Sequence, residues 1–345
     1  MSSWKMKIMR PLRHGRRGWR SWKEQDAPCG VSERRQFAGQ AKSEAAAASE
    51  LHLRPRQPEV HPSAFIEKGA DVHFTAKVGP FCHVADGVCI GEDVELISHA
   101  SVVGKTRIDG HCVIHPHAVV GGMSQDKKHV GRFKATDSWQ LVIGSRTCVR
   151  EHVTVNGGTC TDEEDGITRI GDGVLLMAAT HVGHDCHVES GAILSNGACL
   201  AGHVHVGERS IVGGMCGVHQ HVRIGRNAMV GGAAAVDADI IPFGLAAGNR
   251  ARLRGLNLVG LRRLGFGASD ILSALCAYRY IFGVPQARQS DRVAFHAMPT
   301  LKERAAVCAS AIGNREHDGE GSAEVISAIA HFIINDDRSR ALCIQ

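Results

Sequence analysis

Seven histidines crowd the middle of this chain, and one aspartate stands among them. The stretch Met177-Ala178-Ala179-Thr180-His181-Val182-Gly183-His184-Asp185-Cys186-His187 supplies three, and His203, His205, His219 and His221 follow. A neutral imidazole titrates near working pH and can take the proton from a hydroxyl. A backbone N–H aimed at the attacked carbonyl stabilises the oxyanion of a tetrahedral intermediate. Base and donor together suffice for acyl transfer to a hydroxyl, with no serine or cysteine nucleophile. Two other readings compete. One is polar turn residues with no chemistry; the other is imidazole nitrogens holding zinc with one position left open. The elements that carry these residues decide between them.

Those elements announce themselves by a beat of six. An aliphatic residue returns at every sixth position from Val60 to Val120, again from Ile143 to Val155, and again from Ile170 to Val236, giving 26 units with no polar residue at the marked position. Six matches neither the 3.6 of a helix nor the 2 of a half-buried strand. It is the signature of a hexapeptide β-helix, in which three hexads make one triangular coil. One hexad cannot bury its aliphatic side chain alone, but stacked coils bury it against the same position above and below. The expected fold is therefore mainly β, a parallel β-helix of about nine coils over residues 57–247. Small residues such as Ala76, Cys82, Cys112, Cys186 and Ala192 fall four places after the marked ones and read as inward fillers. With Cys216 these cysteines read as packed thiols of a reducing compartment rather than a disulfide framework.

Three hexads per coil place residues 18 apart on one column. His205 then lies over His187, and His221 over His203. Gly202 lies over His184, and Gln220 over Gly202. One imidazole thus sits beneath a glycine backbone and an amide side chain, the pairing that acyl transfer needs. His181, His184 and His187 look like a zinc set in the linear sequence, but they fall at hexad positions six, three and six and do not share a face. A zinc-dependent prism resembling the gamma-class carbonic anhydrases, or a non-catalytic trimeric prism, remains the alternative.

The flanks differ from the coil region. Residues 1–56 carry 13 Lys/Arg against 5 Asp/Glu, leaving 27 bases and 30 acids for the rest, so the net +5 belongs to the leader. An Arg-rich, acid-poor leader reads as an organelle transit peptide, mitochondrial first and chloroplast second. The slightly acidic body argues against nucleic-acid binding, and no apolar run is long enough to span a bilayer. Two gaps interrupt the beat, at 126–142 and 161–169, and insertions in repeats emerge as loops, often on the working face. Residues 248–345 read as a helical domain, with Ser269 capping a helix through Tyr280 and Ser322 capping another through Asn335.

The local motifs resemble the acyl-acyl-carrier-protein–UDP-N-acetylglucosamine O-acyltransferases, the first enzymes of lipid A synthesis. The carriers are Val60-His61-Pro62, Gly122-Met123-Ser124-Gln125-Asp126 with Lys128, His181-Val182-Gly183-His184-Asp185-Cys186, Leu200-Ala201-Gly202-His203-Val204, Ile211-Val212-Gly213-Gly214-Met215, Val218-His219-Gln220, Arg254-Gly255-Leu256-Asn257-Leu258 and Gly260-Leu261-Arg262-Arg263 with Gly265-Phe266. The resemblance spans Val60 to about Leu342. It implies a left-handed parallel β-helix followed by a C-terminal α-helical domain, assembled as a homotrimer with active sites between subunits. It implies transfer of an (R)-3-hydroxyacyl group from acyl carrier protein to the 3-hydroxyl of UDP-N-acetylglucosamine, with no cofactor, no metal and no covalent acyl-enzyme.

Residue by residue, His184 matches the family's general base, Asp185 its orienting partner and Gly202 the oxyanion N–H. Asp126 matches a sugar contact flanked by Gln125 and Lys128, and His181, His203, His219 and Gln220 line the implied cleft. Asn257 and Arg263 match nucleotide and phosphate contacts, and arginine suits a diphosphate. Arg252, Arg254 and Arg262 are expected to help grip acidic acyl carrier protein. Gly232 matches the position that limits acyl-chain length, where a glycine leaves room for a longer chain. Departures from the pattern are Leu264 for an arginine, Val259 for an acid, Arg250 for a histidine, His221 for an aromatic, and Lys127-Lys128-His129 for Asp-Leu-Lys. The first three put the nucleotide side in question.

Overall fold

The structure is a computed structural model that describes residues 57–128, 140–159, 166–283, 300–312, 320–335 and 341–343. The basic leader lies outside the described residues, as do the central parts of both insertions.

Each of the 26 marked aliphatic residues lies in its own short strand, from β1 (Glu59–Val60) to β26 (Ala235–Val236). The strands sort by threes into three sheets of eleven, nine and eight strands, here faces A, B and C. Neighbours pair in parallel, so Val182, Leu200, Val218 and Val236 climb one column on face B. Inside the prism Val102, Val120, Val155, Val182, Leu194 and Leu200 are fully buried, each contributing about 1.5–3 kcal/mol of apolar burial. Among the described residues the first coil has no coil beneath it. Val60, expected to point into the core, is 38% exposed, and Ile66 and Val72 are only half-buried.

Corners between faces turn through left-handed backbone. Asp185, His203 and His221 have φ of 58°, 59° and 63° on three successive coils between faces B and C. That region disfavours most side chains but enriches Asn, Asp and His several-fold, which explains why histidines collect at corners. Both insertions leave the prism at this same corner. The first follows β11 (Val119–Gly122) on face B and ends at β12 (Leu141–Ile143) on face C; the second lies between β14 (Thr154–Asn156) and β15 (Thr168–Ile170). The strands re-enter at Leu141 and Thr168, slightly earlier than the aliphatic beat suggested.

Beyond face B the chain adds β27 (Gly244–Ala247), parallel to β25 (Met229–Val230), and β28 (Arg252–Leu256), antiparallel to β27. The expected domain junction at 247/248 thus falls inside a hairpin of face A, and Ala251 and Cys343 join the prism core. Among the described residues four helices follow: α1 (Leu258–Arg263), α2 (Ala268–Phe282), α3 (Leu301–Ile312) and α4 (Glu320–Ile334). Their second core contains Phe243, Leu256, Leu261, Tyr278 and Ile329. Two of the expected caps are corrected. Gly267, not Ser269, caps α2, with its N–H donated to Asp270 Oδ2 at 3.3 Å, and Gly283 closes it at φ 64°. Ser322 lies inside α4 and is buried. The sequence signals for α1 and α3 were missed: Asn257 stands at the start of α1, and Thr300 and Glu303 form a capping box at α3, Thr300 N–H donating to Glu303 Oε2 at 2.6 Å and Glu303 N–H to Thr300 Oγ1 at 3.2 Å.

Candidate active site

His184 and Asp185 occupy the turn between faces B and C. Adjacent residues on a strand point to opposite faces, but the left-handed turn at Asp185 brings the two side chains together. His184 Nδ1 and Asp185 Oδ2 lie 2.7 Å apart, and both residues are buried. Asp185 is anchored on all sides. Its N–H donates to Thr168 Oγ1 at 2.9 Å, and its carboxylate accepts from Thr159 N–H at 2.8 Å and Thr159 Oγ1 at 2.9 Å. Burial pulls the Asp185 pKa up, but hydrogen bonds from His184 and Thr159, helped by nearby His203, outweigh it and hold the group below the ordinary carboxylate value. An ionised carboxylate can only accept. Nδ1 of neutral His184 therefore carries the proton, and the lone pair is left on Nε2.

Gly202 lies against that lone pair. A Cβ added there would stand 2.5 Å from His184 Nε2 and Cε1, so only glycine fits. Among the described residues nothing accepts from the Gly202 N–H. The 18-residue column is therefore realised at the point that matters for chemistry. One coil up, His203 Nε2 lies 3.7 Å from Asp185 Oδ2, and its ring meets His184 edge-on at 5.1 Å. His221 stacks on His203 at 4.5 Å. Gln220 Nε2 lies 3.4 Å from His221 Nε2.

The other expected residues fall into three places. His181 and His219 line a trough of about 470 Å³ on face B with Cys199, Gly217, Ala235 and Asp237. His181 Nδ1 lies 2.7 Å from Thr154 Oγ1, and burial, then His184, pushes its pKa down. Gln125, Asp126 and Lys128 sit at the root of the first insertion, at the same corner and below His184. There Asp126 Oδ1 accepts from Lys128 N–H at 2.9 Å, and Asn156 Nδ2 fastens the root by donating to Met123 O at 2.8 Å. Gln125 and Lys128 are exposed.

Asn257 and Arg263 come together elsewhere. They border a cavity of about 730 Å³ with Arg209, Arg254, Leu245 and Met229, over face A. Face A is opposite the corner between B and C, so one chain does not bring these two residues to His184. Asn257 also has a local duty that the sequence reading missed. It caps α1, accepting from Gly260 N–H at 2.9 Å and donating to Asn227 O at 3.0 Å. Gly232 is exposed at the corner between A and B.

The residues sequence reasoning missed are Thr159, Thr168 and Thr154. The second insertion lengthens the coil, so the 18-residue ruler steps past them. The pairing Thr154↔His181 shows the longer step that would have found Thr154. Among the described residues the group able to offer metal ligands is His184, Asp185 and His203, with ligand atoms within 4.8 Å of one another, not the linear set His181, His184 and His187. The facing nitrogen and oxygen of His184 and Asp185 are already joined by their own hydrogen bond.

A buried His–Asp pair packed against a glycine, on a triangular prism of hexads, defines an acyltransferase of the hexapeptide-repeat class. The family model for UDP-N-acetylglucosamine O-acyltransferase, domain 2, matches residues 239–341. The acyl-[acyl-carrier-protein]–UDP-N-acetylglucosamine O-acyltransferase of Caulobacter vibrioides is 40% identical over 288 residues, 83% of this chain and 97% of the relative. That of Campylobacter concisus is 40% identical over 223 residues, 65% of this chain and 82% of the relative. Among solved structures, the Moraxella catarrhalis UDP-N-acetylglucosamine O-acyltransferase aligns with a TM-score of 0.67 at 32% identity, covering 82% of this chain and 99% of that one. The Arabidopsis UDP-N-acetylglucosamine acyltransferase aligns with 0.66 at 30% identity, covering 83% and 100%. The chain belongs to the acyl-[acyl-carrier-protein]–UDP-N-acetylglucosamine O-acyltransferase family. Its prism is the left-handed parallel β-helix of that family, with the family's helical C-terminal domain.

Proposed function

We propose that the chain transfers an (R)-3-hydroxyacyl group from acyl carrier protein to the 3-hydroxyl of UDP-N-acetylglucosamine in one direct displacement. The observation that carries the reading is the 2.7 Å His184–Asp185 pair with Gly202 packed against the His184 ring. His184 Nε2 takes the hydroxyl proton as the sugar oxygen attacks the thioester carbonyl. The C–O bond forms, and the Gly202 N–H receives the developing oxyanion. Collapse breaks the C–S bond, and the departing thiolate takes the proton from His184. Asp185 steadies the transient imidazolium. Asp126, with Gln125 and Lys128 beside it, contacts the sugar; His181, His203, His219 and Gln220 line the cleft; Arg263 meets the diphosphate. Gly232, bare at its corner, suits a longer acyl chain.

The assembly we propose is a homotrimer with shared clefts. Its support is the position of the Arg263 cavity over face A, away from His184 in the same chain. We further propose that residues 1–56 direct import into mitochondria. A fluorescent fusion of residues 1–60 that stays in the cytosol overturns that part.

The test of the chemistry is His184→Ala. Transfer, read by product mass with hydroxyacyl carrier proteins of several lengths, should fall by about 10² or more with assembly unchanged. Wild-type transfer in that variant overturns the assignment. So does one zinc per chain combined with no thermal shift by UDP-N-acetylglucosamine, which would favour a metal-dependent prism.

A further inference from the structure

We propose that His221 is a positioning residue for this site: its ring, stacked on His203, holds His203 in register with the His184–Asp185 pair. The inference rests on the acyl-transfer reading above and adds a residue outside the set assembled there.

Asp185, His203 and His221 share one backbone state on three successive coils, with φ of 58°, 59° and 63°. Their side chains therefore leave the corner in parallel, one above another. His203 is held from below by Asp185 Oδ2 at 3.7 Å and by the edge of His184 at 5.1 Å. From above it meets the face of His221 at 4.5 Å, the two rings 18° from parallel. His221 itself is exposed, and Gln220 Nε2 lies 3.4 Å from its Nε2. Removing the upper ring uncovers one face of His203 and lets it turn toward solvent. The His184–Asp185 pair does not depend on His221, because Thr159 and Thr168 anchor Asp185. The effect should therefore fall on acceptor binding, where His203 acts, more than on the proton transfer step.

His221→Ala and His221→Phe test this. Alanine tolerates such a corner, since Ala179 and Ala233 occupy φ of 60° and 55° in this chain. The Ala variant should raise KM for UDP-N-acetylglucosamine by about two- to tenfold, the worth of one ring stack, with kcat nearly unchanged. Phe restores a stacking face and should return KM to the wild-type value. Thermal midpoints of all three proteins should agree. Unchanged KM in the Ala variant, or a Phe variant as impaired as Ala, overturns the proposal. The stack is also read without turnover. In proton NMR, the His203 ring signals should shift on losing the His221 ring current, and no shift overturns the stack even where transfer itself is absent. Absence of transfer in the wild type would instead defeat the underlying reading.

Discussion

Two impaired chains should make a more active enzyme when they assemble together. His184 stands at the corner between faces B and C, whereas Arg263 and Asn257 border a cavity over face A. In the proposed trimer each cleft takes His184 from one subunit and Arg263 from its neighbour. Alone, His184→Ala should lose about 10² or more in transfer. Arg263→Ala loses a charge-assisted contact of about 1.5–3 kcal/mol, or roughly 10- to 100-fold. In trimers assembled at random from equal amounts, half the His184 positions and half the Arg263 positions are intact. A cleft that draws on two chains then holds both intact groups with a chance of about one quarter. The co-expressed mixture, purified through one tag common to both chains so that every trimer is kept, should thus recover about a quarter of wild-type activity by product mass. A mixture of wild type with the double variant separates the cases again. Shared clefts leave about a quarter of sites intact, and clefts within one chain leave about a half. Activity no greater than the two parents together would refute the shared-cleft geometry.

Other outcomes follow from single contacts. Gly202→Ala puts a methyl carbon 2.5 Å from the His184 ring, so kcat should fall by about 10²–10³ with folding retained, checked by steady-state kinetics and circular dichroism. Leu200→Ala empties a fully buried position and should cost about 2–5 kcal/mol in denaturant melts. Burial, then His184, depresses the His181 pKa, so the unfolded chain binds that proton more readily. Stability should fall as pH drops below the ordinary histidine value of about 6.5 toward the depressed one, and His181→Gln should flatten that part of the curve in melts from pH 5 to 7. A Gln variant with the wild-type slope would show that His181 does not cause it.

Much of this molecule was readable from one periodicity. The residues marked by the beat are the strand residues of three faces, and the column arithmetic placed Gly202 against His184. It worked because a stacked coil repeats its geometry, so a sequence interval becomes a spatial one. It failed where the coil changes length. Thr159 and Thr168, which hold Asp185, lie beside the second insertion, where the interval no longer applies. Asn257 was read as a ligand contact, yet its side chain also closes the N-terminus of α1. Ser269 and Ser322 had the right chemistry for caps, but Gly267 with Asp270 supplied one, and α4 begins before Ser322. The distance between Arg263 and His184 was not readable at all, because the packing of β28 and the helices over face A is a tertiary outcome.

The two ends of the prism are unlike. Val60 is 38% exposed at the first coil. At the other end Cys343 returns from the far end of the chain, its N–H donated to Asp239 O at 2.9 Å and its carbonyl accepting from Leu253 N–H at 2.8 Å. A stack of coils opens from whichever end has the weaker neighbour terms. Amide exchange should therefore run as a gradient, fastest at Glu59 and Phe65 and slowest near Val206 and Val230. Unravelling has a direction, and it reaches the His184 corner only after the coils beneath it have gone.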